Sequence, residues 1–350
     1  MSDLENKEYV LSIISRIDFP GNSDLTRLIE HIDVTEKSVK IIINSEMTRQ
    51  NKMITDQWQR FIEKDSKIES CSVIYTKHNS PNLKKDVPSV DVNLVNKFDL
   101  SHLGKIIFVA SGKGGVGKST ISSNIAASIA ELGFKVGLMD ADIYGPSQPK
   151  MLGLAGSKVE ILNKKIQPKK IGNLSMMSMG MLFPEHEAII WRGPMLMKAI
   201  QQLLLDVSWG DQDYFIVDLP PGTGDIHITL AQKVLISGAI VISTPQDMSL
   251  IDAKKAIKLF SKTNTKILGL IENMSYFQCS KCGEKHDIFS NGGVEKISSS
   301  QNLPFLGNIP LLKEIMECAD NGTPYVSQNH QGKKLFSEIV KNIFKELNAH

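Results

Sequence analysis

The 350-residue sequence predicts an α/β protein with a mostly parallel sheet covered by helices on both faces, preceded by a small α+β domain. After residue 100, apolar runs of strand length alternate with amphipathic segments, which is typical of a parallel sheet buried on both sides. Gly21 is the only glycine before residue 104, whereas glycines are frequent afterwards. A polar stretch with two prolines separates the two regions and reads as a linker. We therefore expect a small domain at 1–78, a linker at 79–99 and a larger domain at 100–350.

The expected elements follow from the spacing of apolar residues along the chain. In the small domain this spacing predicts helices at 9–17 and 54–64 and strands at 38–44 and 69–76. In the larger domain it predicts strands at 105–110, 135–139, 214–219, 239–244 and 267–272, and helices at 118–132, 195–205, 226–235 and 249–263. His31 and Cys71 are isolated in the small domain, so we expect no catalytic site there.

Charge and composition exclude several classes of protein. Lysine plus arginine number 40 and aspartate plus glutamate 38, so the charge gives no support for a nucleic-acid binder. No uncharged apolar run approaches the ~20 residues of a membrane-spanning helix. The N-terminal sequence MSDLENKEYV lacks the order of a signal peptide, and four cysteines are too few for a secreted disulfide scaffold. We expect a protein of the reducing cytoplasm, with neither nucleic acid nor membrane among its partners.

A glycine-rich loop between the first strand and helix of the larger domain is the strongest signal in the sequence. Residues 112–119 read GKGGVGKS and satisfy G-x-x-x-x-G-K-[ST], the phosphate-binding P-loop. Glycines let successive N–H groups point at phosphate oxygens, and the following helix adds the positive end of its dipole. We expect Lys118 to contact the β- and γ-phosphates and Ser119 to bind Mg²⁺. The expected nucleotide-binding residues of the loop are Gly112, Lys113, Gly114, Gly115, Val116, Gly117, Lys118, Ser119 and Thr120.

Polar side chains also follow the ends of expected strands in this domain. Asp140 and Asp142 follow the strand after the P-loop helix, and Asp218 ends the apolar run YFIVD as a Walker B carboxylate does. The carboxyl ends of parallel strands form the edge at which ligands bind, so we expect these carboxylates near the phosphates. Asn273 follows the strand at 267–272. Aspartate and asparagine at a strand end are also common cap or turn residues.

Cys279 and Cys282 form a C-x-x-C motif. Such a pair can be a redox couple, half of a zinc ribbon or half of a cluster site. Zinc and cysteine-bound clusters need about four protein ligands. His286 is close enough in sequence to be a third ligand, although a single histidine is more often incidental. Two copies related by a two-fold axis would bring two cysteine pairs together, so we expect a homodimer that shares one metal centre.

Together these motifs resemble those of the Mrp-type iron–sulfur cluster carrier ATPases, a deviant Walker A family related to ParA, MinD and the nitrogenase iron protein. The resemblance extends from about residue 105 to 324 and rests on SGKGGVGKST, MDADIYGPS, WRGPM, DLPPGTGD, ENMS and the C-x-x-C motif. It implies a P-loop NTPase fold that binds ATP with Mg²⁺ and hydrolyses it slowly. It also implies a [4Fe–4S] cluster held between two protomers, received from a cluster donor and delivered to apoproteins.

The same resemblance implies roles for individual residues. Lys113 would reach the phosphates of the partner protomer, and Asp142 would orient the attacking water. The expected catalytic residues are thus Lys113, Lys118 and Asp142. The residues associated with Mg²⁺ would be Ser119, Asp140 and Asp218, the adenine edge would be read by Asn273, and the cluster ligands would be Cys279 and Cys282.

The chain also departs from the family pattern. It has Met316 where relatives often have arginine, and Arg192 in WRGP would belong to the dimer or to a switch. The small domain weakly resembles a domain fused to bacterial members, but residues 44–50 read NSEMTRQ where that domain usually has a cysteine motif.

Two other functions stay open on the sequence alone. Residues 333–347 form an amphipathic segment that suits a MinD- or ParA-like positioning ATPase bound to a membrane or nucleoid, although a helix packed on the sheet has the same pattern. An electron donor like the nitrogenase iron protein also bridges one cluster across a dimer, but its ligand cysteines are well separated in sequence.

Overall fold

The structure, a computed structural model, describes residues 3–15, 17, 25–26, 28–35, 38–44, 48–65, 68, 70–76, 97–143, 145–182, 193–279, 281–328 and 330–349. The chain divides into two compact units, Met1–Pro88 and Ser89–His350. Most of the predicted linker at 79–99 lies outside the described residues, as does Arg192 of the WRGP segment.

Among the described residues of the first unit, helices pack against a three-stranded sheet. Its elements are α1 (Asp3–Ser15), β1 (Ile29–Thr35), β2 (Ser38–Asn44), α2 (Arg49–Ile62) and β3 (Ser70–Thr76). The strand order is β1-β2-β3, with β1 antiparallel and β3 parallel to β2. Thr48 caps α2 by accepting a hydrogen bond from the backbone N–H of Asn51, and Trp58 of the same helix is fully buried. The four elements expected here are present, and β1 is an addition to them.

The second unit alternates strands and helices. Its strands are β4 (Lys105–Ser111), β5 (Val136–Asp140), β6 (Glu160–Leu162), β7 (Lys165–Gln167), β8 (Lys169–Ile171), β9 (Leu174–Ser178), β10 (Tyr214–Asp218), β11 (Gly238–Ser243), β12 (Ile267–Gln278), β13 (Lys285–His286) and β14 (Phe305–Leu311). Its helices are α3 (Lys118–Glu131), α4 (Gln148–Met151), α5 (Met179–Leu182), α6 (Gly193–Leu205), α7 (Asp225–Lys233), α8 (Asp247–Lys262), α9 (Gly293–Ser300), α10 (Lys313–Asp320), α11 (Tyr325–Gln328) and α12 (His330–Asn348).

The predicted parallel sheet is confirmed. Among the described residues it has nine strands in the order β13-β12-β11-β4-β10-β5-β9-β8, with β14 also paired to β12. Only β8 and β13 run antiparallel to their neighbours in this sheet. Separate apolar clusters cover its two faces: one contains residues of α6 and α8, and the other contains residues of α3 and α12. Helices therefore bury both faces, as the uninterrupted apolar strands predict.

The observed boundaries in the second unit lie within two residues of the expected ones, with one exception. The strand expected at 267–272 continues to Gln278, because its last residues pair with β13 in a hairpin. The short strands β6 to β9 were not expected.

The C-terminal helix α12 is packed against the sheet. Its apolar stripe includes Phe336, Ile339, Val340 and Ile343, all of them buried. The lysines of the same helix lie on its exposed side. The amphipathic pattern at 333–347 is therefore explained by packing. Among the described residues, no helix combines the length and apolar character needed to cross a bilayer.

Candidate functional site

The P-loop forms a cradle where β4 leads into α3. Gly117 precedes the helix in a left-handed conformation, with φ +82°. A Cβ atom at this position would lie 2.1 Å from Nδ2 of Asn273, so the close approach requires glycine. The loop lines a cavity of about 230 Å³, shared with Asp142 and Pro221. The predicted nucleotide-binding loop is thus arranged around a space beside the N-terminus of a helix, the place that favours phosphate.

Lys118 and Asp218 form a buried ion pair beside this cavity. Nζ of Lys118 lies 2.5 Å from Oδ1 of Asp218 and 3.3 Å from Oγ of Ser119. The Lys118 side chain is 6% exposed and the Asp218 side chain is not exposed. Oγ of Ser122 donates a second hydrogen bond, of 3.0 Å, to the same Asp218 oxygen. The structure thus brings together the P-loop lysine and the carboxylate expected near Mg²⁺.

Gln148 completes the surroundings of Asp218 from another element. Its Nε2 donates to Oδ2 of Asp218 and to the backbone carbonyl of Ser119, both at 2.9 Å. Its backbone N–H donates to Oδ2 of Asp140 at 3.3 Å. The side chain is fully buried, and its Oε1 has no hydrogen-bond partner among the residues that the structure describes.

Asp140 lies directly beside Asp218, because the two residues are paired in the register of β5 and β10. Its carboxylate accepts hydrogen bonds from the backbone N–H of Asp142 at 3.1 Å and from Oγ of Ser178 at 3.0 Å. Burial, and then the neighbouring charge of Asp218, raise the pKa of Asp140 to about 7. A carboxyl group with such a pKa is held near the point at which it exchanges a proton at neutral pH.

The two other predicted catalytic residues line the phosphate cavity. Lys113 is half-buried, and its carbonyl accepts a hydrogen bond of 2.9 Å from Oγ of Ser111. Asp142 is buried, and its Oδ1 accepts a hydrogen bond of 3.3 Å from the backbone N–H of Gly145. Both residues thus lie at the cavity that the P-loop forms, and their catalytic roles stay predictions.

Asn273 contacts the P-loop itself. Its Nδ2 donates a hydrogen bond of 2.8 Å to the carbonyl of Val116. Asn273 also lines a second cavity of about 210 Å³, which includes Gly117 and Leu311. Met316, the position where relatives often have arginine, lines this cavity as well. The predicted contact with adenine would therefore take place here, although one amide hydrogen of Asn273 already holds the loop.

The cysteine pair lies in the turn of the hairpin that joins β12 to β13. The backbone N–H of Cys279 donates to the carbonyl of Glu284 at 2.9 Å, and the N–H of Gly283 donates to the carbonyl of Cys279 at 2.8 Å. Cys282 is exposed and Cys279 is partly exposed. Hydrogen bonds from the backbone N–H groups of Cys282 and Lys281, and from the Cys282 thiol, lower the pKa of Cys279. A lowered pKa favours the thiolate, which is the form that binds metal.

The described residues of one chain do not supply a complete metal site. Among the residues that the structure describes, no group of three or more His, Cys, Asp or Glu side chains could hold a metal ion. His286 is half-exposed, and its ring lies 6.4 Å from the ring of Phe277 rather than joining such a group. Cys71 and Cys318 are buried.

Glu272 fixes the other side of the cysteine hairpin. Its buried carboxylate accepts hydrogen bonds from the backbone N–H of Val294 at 2.9 Å and of Gly292 at 3.3 Å, at the start of α9. Strand β12 thus holds both ends of the segment that contains the cysteines.

The oxygen atoms beside the P-loop fit Mg²⁺. Hydroxyl and carboxylate oxygens are the ligands this ion prefers. Ser119 and Asp142 line the cavity, and Asp218 is held beside it by its contact with Lys118. Bound there, Mg²⁺ would neutralise charge on the phosphates.

Several contributing residues were not expected from the sequence. They are Ser122, Gln148, Ser178 and Glu272. Ser122 carried a usable signal, since it lies one helical turn after Lys118 on α3. The other three carried none, because their partners come from distant parts of the chain.

Comparison with known proteins agrees with this geometry. A family model described as ParA, NUBPL iron-transfer P-loop NTPase, matches residues 102–347. An iron-sulfur cluster carrier protein of Aquifex aeolicus is 46% identical over 240 residues, which is 67% of this chain and 66% of that relative. The iron-sulfur cluster transfer protein NUBPL of Mus musculus is 46% identical over 249 residues, covering 70% of this chain and 78% of that relative.

A solved structure shares the fold. The nucleotide-binding protein of Archaeoglobus fulgidus, in complex with ADP, is 33% identical and superposes with a TM-score of 0.59. The match covers 70% of this chain and 96% of that protein. The resemblance predicted from the motifs is confirmed: the chain belongs to the ParA-type family of NUBPL iron-transfer P-loop NTPases.

Proposed function

We propose that this protein is an iron–sulfur cluster carrier that binds and slowly hydrolyses ATP with Mg²⁺. Two protomers hold one [4Fe–4S] cluster between their Cys279 and Cys282 pairs and transfer it to apoproteins. The cluster is cargo, taken from a donor and passed on. The P-loop NTPase family of the chain and the names of its relatives as cluster carriers support this proposal.

The observation that carries the proposal is the arrangement of β12. This strand bears Asn273, which is hydrogen-bonded to the P-loop, and ends at the exposed cysteine hairpin. The six residues from Asn273 to Cys279 span less than the about 20 Å of a regular extended strand, because Met274 is left-handed and the register with β14 is irregular between Asn273 and Phe277. A single element therefore links the nucleotide site to the thiols.

The number of ligands supports a shared cluster. A cluster needs about four ligands, and the C-x-x-C motif supplies two thiols per chain. The described residues of one chain offer no third ligand beside them. A two-fold axis through the hairpins supplies four thiolates. The same symmetry would let Lys113 of each protomer approach the phosphates of the other. The four cysteines are free thiols, which fits the reducing cytoplasm that we propose as the location.

Anaerobic reconstitution with iron and sulfide tests this function. The unaltered protein is expected to gain acid-labile sulfide and visible cluster absorbance, and Cys279→Ala/Cys282→Ala is expected to gain neither while still binding ATP. Cys71→Ala/Cys318→Ala is the matched control, since both residues are buried, and it should load like the unaltered protein. Equal labile cluster in the Cys279→Ala/Cys282→Ala protein would refute the proposal.

A transfer assay separates carriage from electron donation. Incubation of the loaded protein with an apo-acceptor should move iron and sulfide together to the acceptor. A cluster that stays on the protein through ATP turnover would favour an electron donor instead.

A further inference from the structure

Asp218 is a fully buried carboxylate that accepts hydrogen bonds from three side chains. Lys118 Nζ and Ser122 Oγ contact its Oδ1 at 2.5 and 3.0 Å, and Gln148 Nε2 contacts its Oδ2 at 2.9 Å. Among these donors only Lys118 carries a charge. A buried carboxylate that loses its charged partner is strongly destabilised unless other donors hold it.

Binding of ATP places a competing demand on Lys118. The P-loop lysine is the residue that contacts the β- and γ-phosphates, so the ammonium that now neutralises Asp218 is needed by the nucleotide. Ser122 and Gln148 are then the side-chain donors that still hold the carboxylate in place beside the Mg²⁺ expected there. Of the two, only Gln148 contacts Oδ2, the oxygen that Lys118 does not touch.

Gln148 is held firmly enough for this task. Both hydrogens of its amide nitrogen are used, one by Asp218 and one by the Ser119 carbonyl, and its own backbone N–H is bound to Asp140. Its Oε1 is buried with no partner among the described residues, which is a costly arrangement. That cost is understandable if the hydrogen bond from the amide nitrogen to Asp218 stabilises the site more than pairing of the amide oxygen would.

We propose that Gln148 is a positioning residue that keeps the Asp218 carboxylate oriented while Lys118 turns to the phosphates of bound ATP. This inference rests on the ATP binding in the proposed function. Because Gln148 acts through its hydrogen bond to Oδ2 of Asp218, its effect on ATP affinity must depend on that carboxylate. A role limited to packing α4 would not show this dependence.

A double-mutant cycle with Gln148→Met and Asp218→Asn tests the proposal, with Kd for Mg·ATP measured by titration calorimetry. Methionine keeps the length of the side chain and removes its N–H groups. In the unaltered background Gln148→Met is expected to weaken ATP binding about tenfold. In the Asp218→Asn background the same change is expected to weaken it by less than about twofold. Leu152→Met, a buried change in the segment that follows α4, should stay within about twofold in both backgrounds.

Each outcome decides the proposal. An unchanged Kd for Gln148→Met, or an equal loss in both backgrounds, would overturn the role of Gln148 and leave the proposed function intact. Failure of the unaltered protein to bind ATP would overturn both. If Gln148→Met does not fold, as judged by its melting transition, Gln148→Asn keeps a buried amide but withdraws it by one methylene. Gln148→Asn is expected to show the same dependence on Asp218. If its effect on Kd does not depend on Asp218, the proposal is overturned.

Discussion

Nζ of Lys118 lies 2.5 Å from Oδ1 of Asp218, and the two side chains are 6% and 0% exposed. The lysine expected at the phosphates thus also neutralises a carboxylate in the interior. This contact links nucleotide binding to the stability of the fold, since the same ammonium group is expected to bind the phosphates and neutralises Asp218.

The first prediction concerns the removal of this ammonium. From the sequence alone, Lys118→Ala is expected to lose most ATP hydrolysis and leave the fold intact. The buried ion pair changes the expectation for the fold, because Lys118→Ala would leave Asp218 as an uncompensated charge. We expect Lys118→Ala to lower the free energy of unfolding by about 3–5 kcal/mol in urea denaturation.

The matched control is the double variant Lys118→Ala/Asp218→Asn, which removes the buried charge as well. It should recover part of the lost stability without recovering ATP hydrolysis. Equal stability of Lys118→Ala and the unaltered protein would contradict the structural role of the pair.

The second prediction separates two roles of Asn273. Its amide nitrogen donates to the Val116 carbonyl, so Asn273→Ala should disturb the P-loop whatever base is bound. We expect Kd to rise about tenfold for ATP and for GTP alike. A loss confined to ATP would show instead that Asn273 acts by reading adenine.

The third prediction follows from the raised pKa of Asp140. Folding raises the pKa of the Asp140 carboxyl from its ordinary value of 3.8 to about 7. Between about pH 4 and about pH 7 the folded protein therefore keeps a proton that the unfolded chain releases. This contribution to stability therefore falls as pH rises from about 4 to about 7 and is level above that. Its slope is at most about 1.4 kcal/mol per pH unit.

Urea denaturation of the unaltered protein and of Asp140→Asn, in buffer without Mg²⁺, measures this effect. As pH rises from about 4 to about 7, the unfolding free energy of the unaltered protein should fall relative to that of Asp140→Asn. Parallel pH profiles would show that Asp140 does not hold the proton.

The fourth prediction concerns Glu272. Its carboxylate accepts two backbone N–H groups at the start of α9, and Glu272→Ala would leave both without this partner. We expect a loss of about 2 kcal/mol in unfolding free energy. Glu295→Ala, in the exposed first turn of the same helix, should cost less than about 0.5 kcal/mol. Similar losses for the two variants would contradict the anchoring role of Glu272.

The sequence predicts those parts of the site that obey local rules. The P-loop follows from glycine, lysine and serine at fixed spacing, and Asp140 and Asp218 follow from their place at strand ends. Their meeting is a consequence of parallel pairing between β5 and β10.

Other features depend on contacts between distant segments. Gln148 meets Asp218 across 70 residues of sequence, and nothing near Gln148 in the chain indicates that partner. The extension of β12 was also missed, because its continuation includes Met274 at φ +54° and an irregular register with β14. A local left-handed residue interrupts the apolar alternation by which a strand is recognised.

The most direct test of the proposed function is the stoichiometry of the loaded protein. Molar mass from light scattering, measured under anaerobic conditions together with iron and sulfide content, gives the number of clusters per chain. We predict a dimer with four iron atoms per two chains, and a monomer with no cluster for Cys279→Ala/Cys282→Ala. A cluster bound by a monomer, or one complete cluster on each chain, would contradict the shared site.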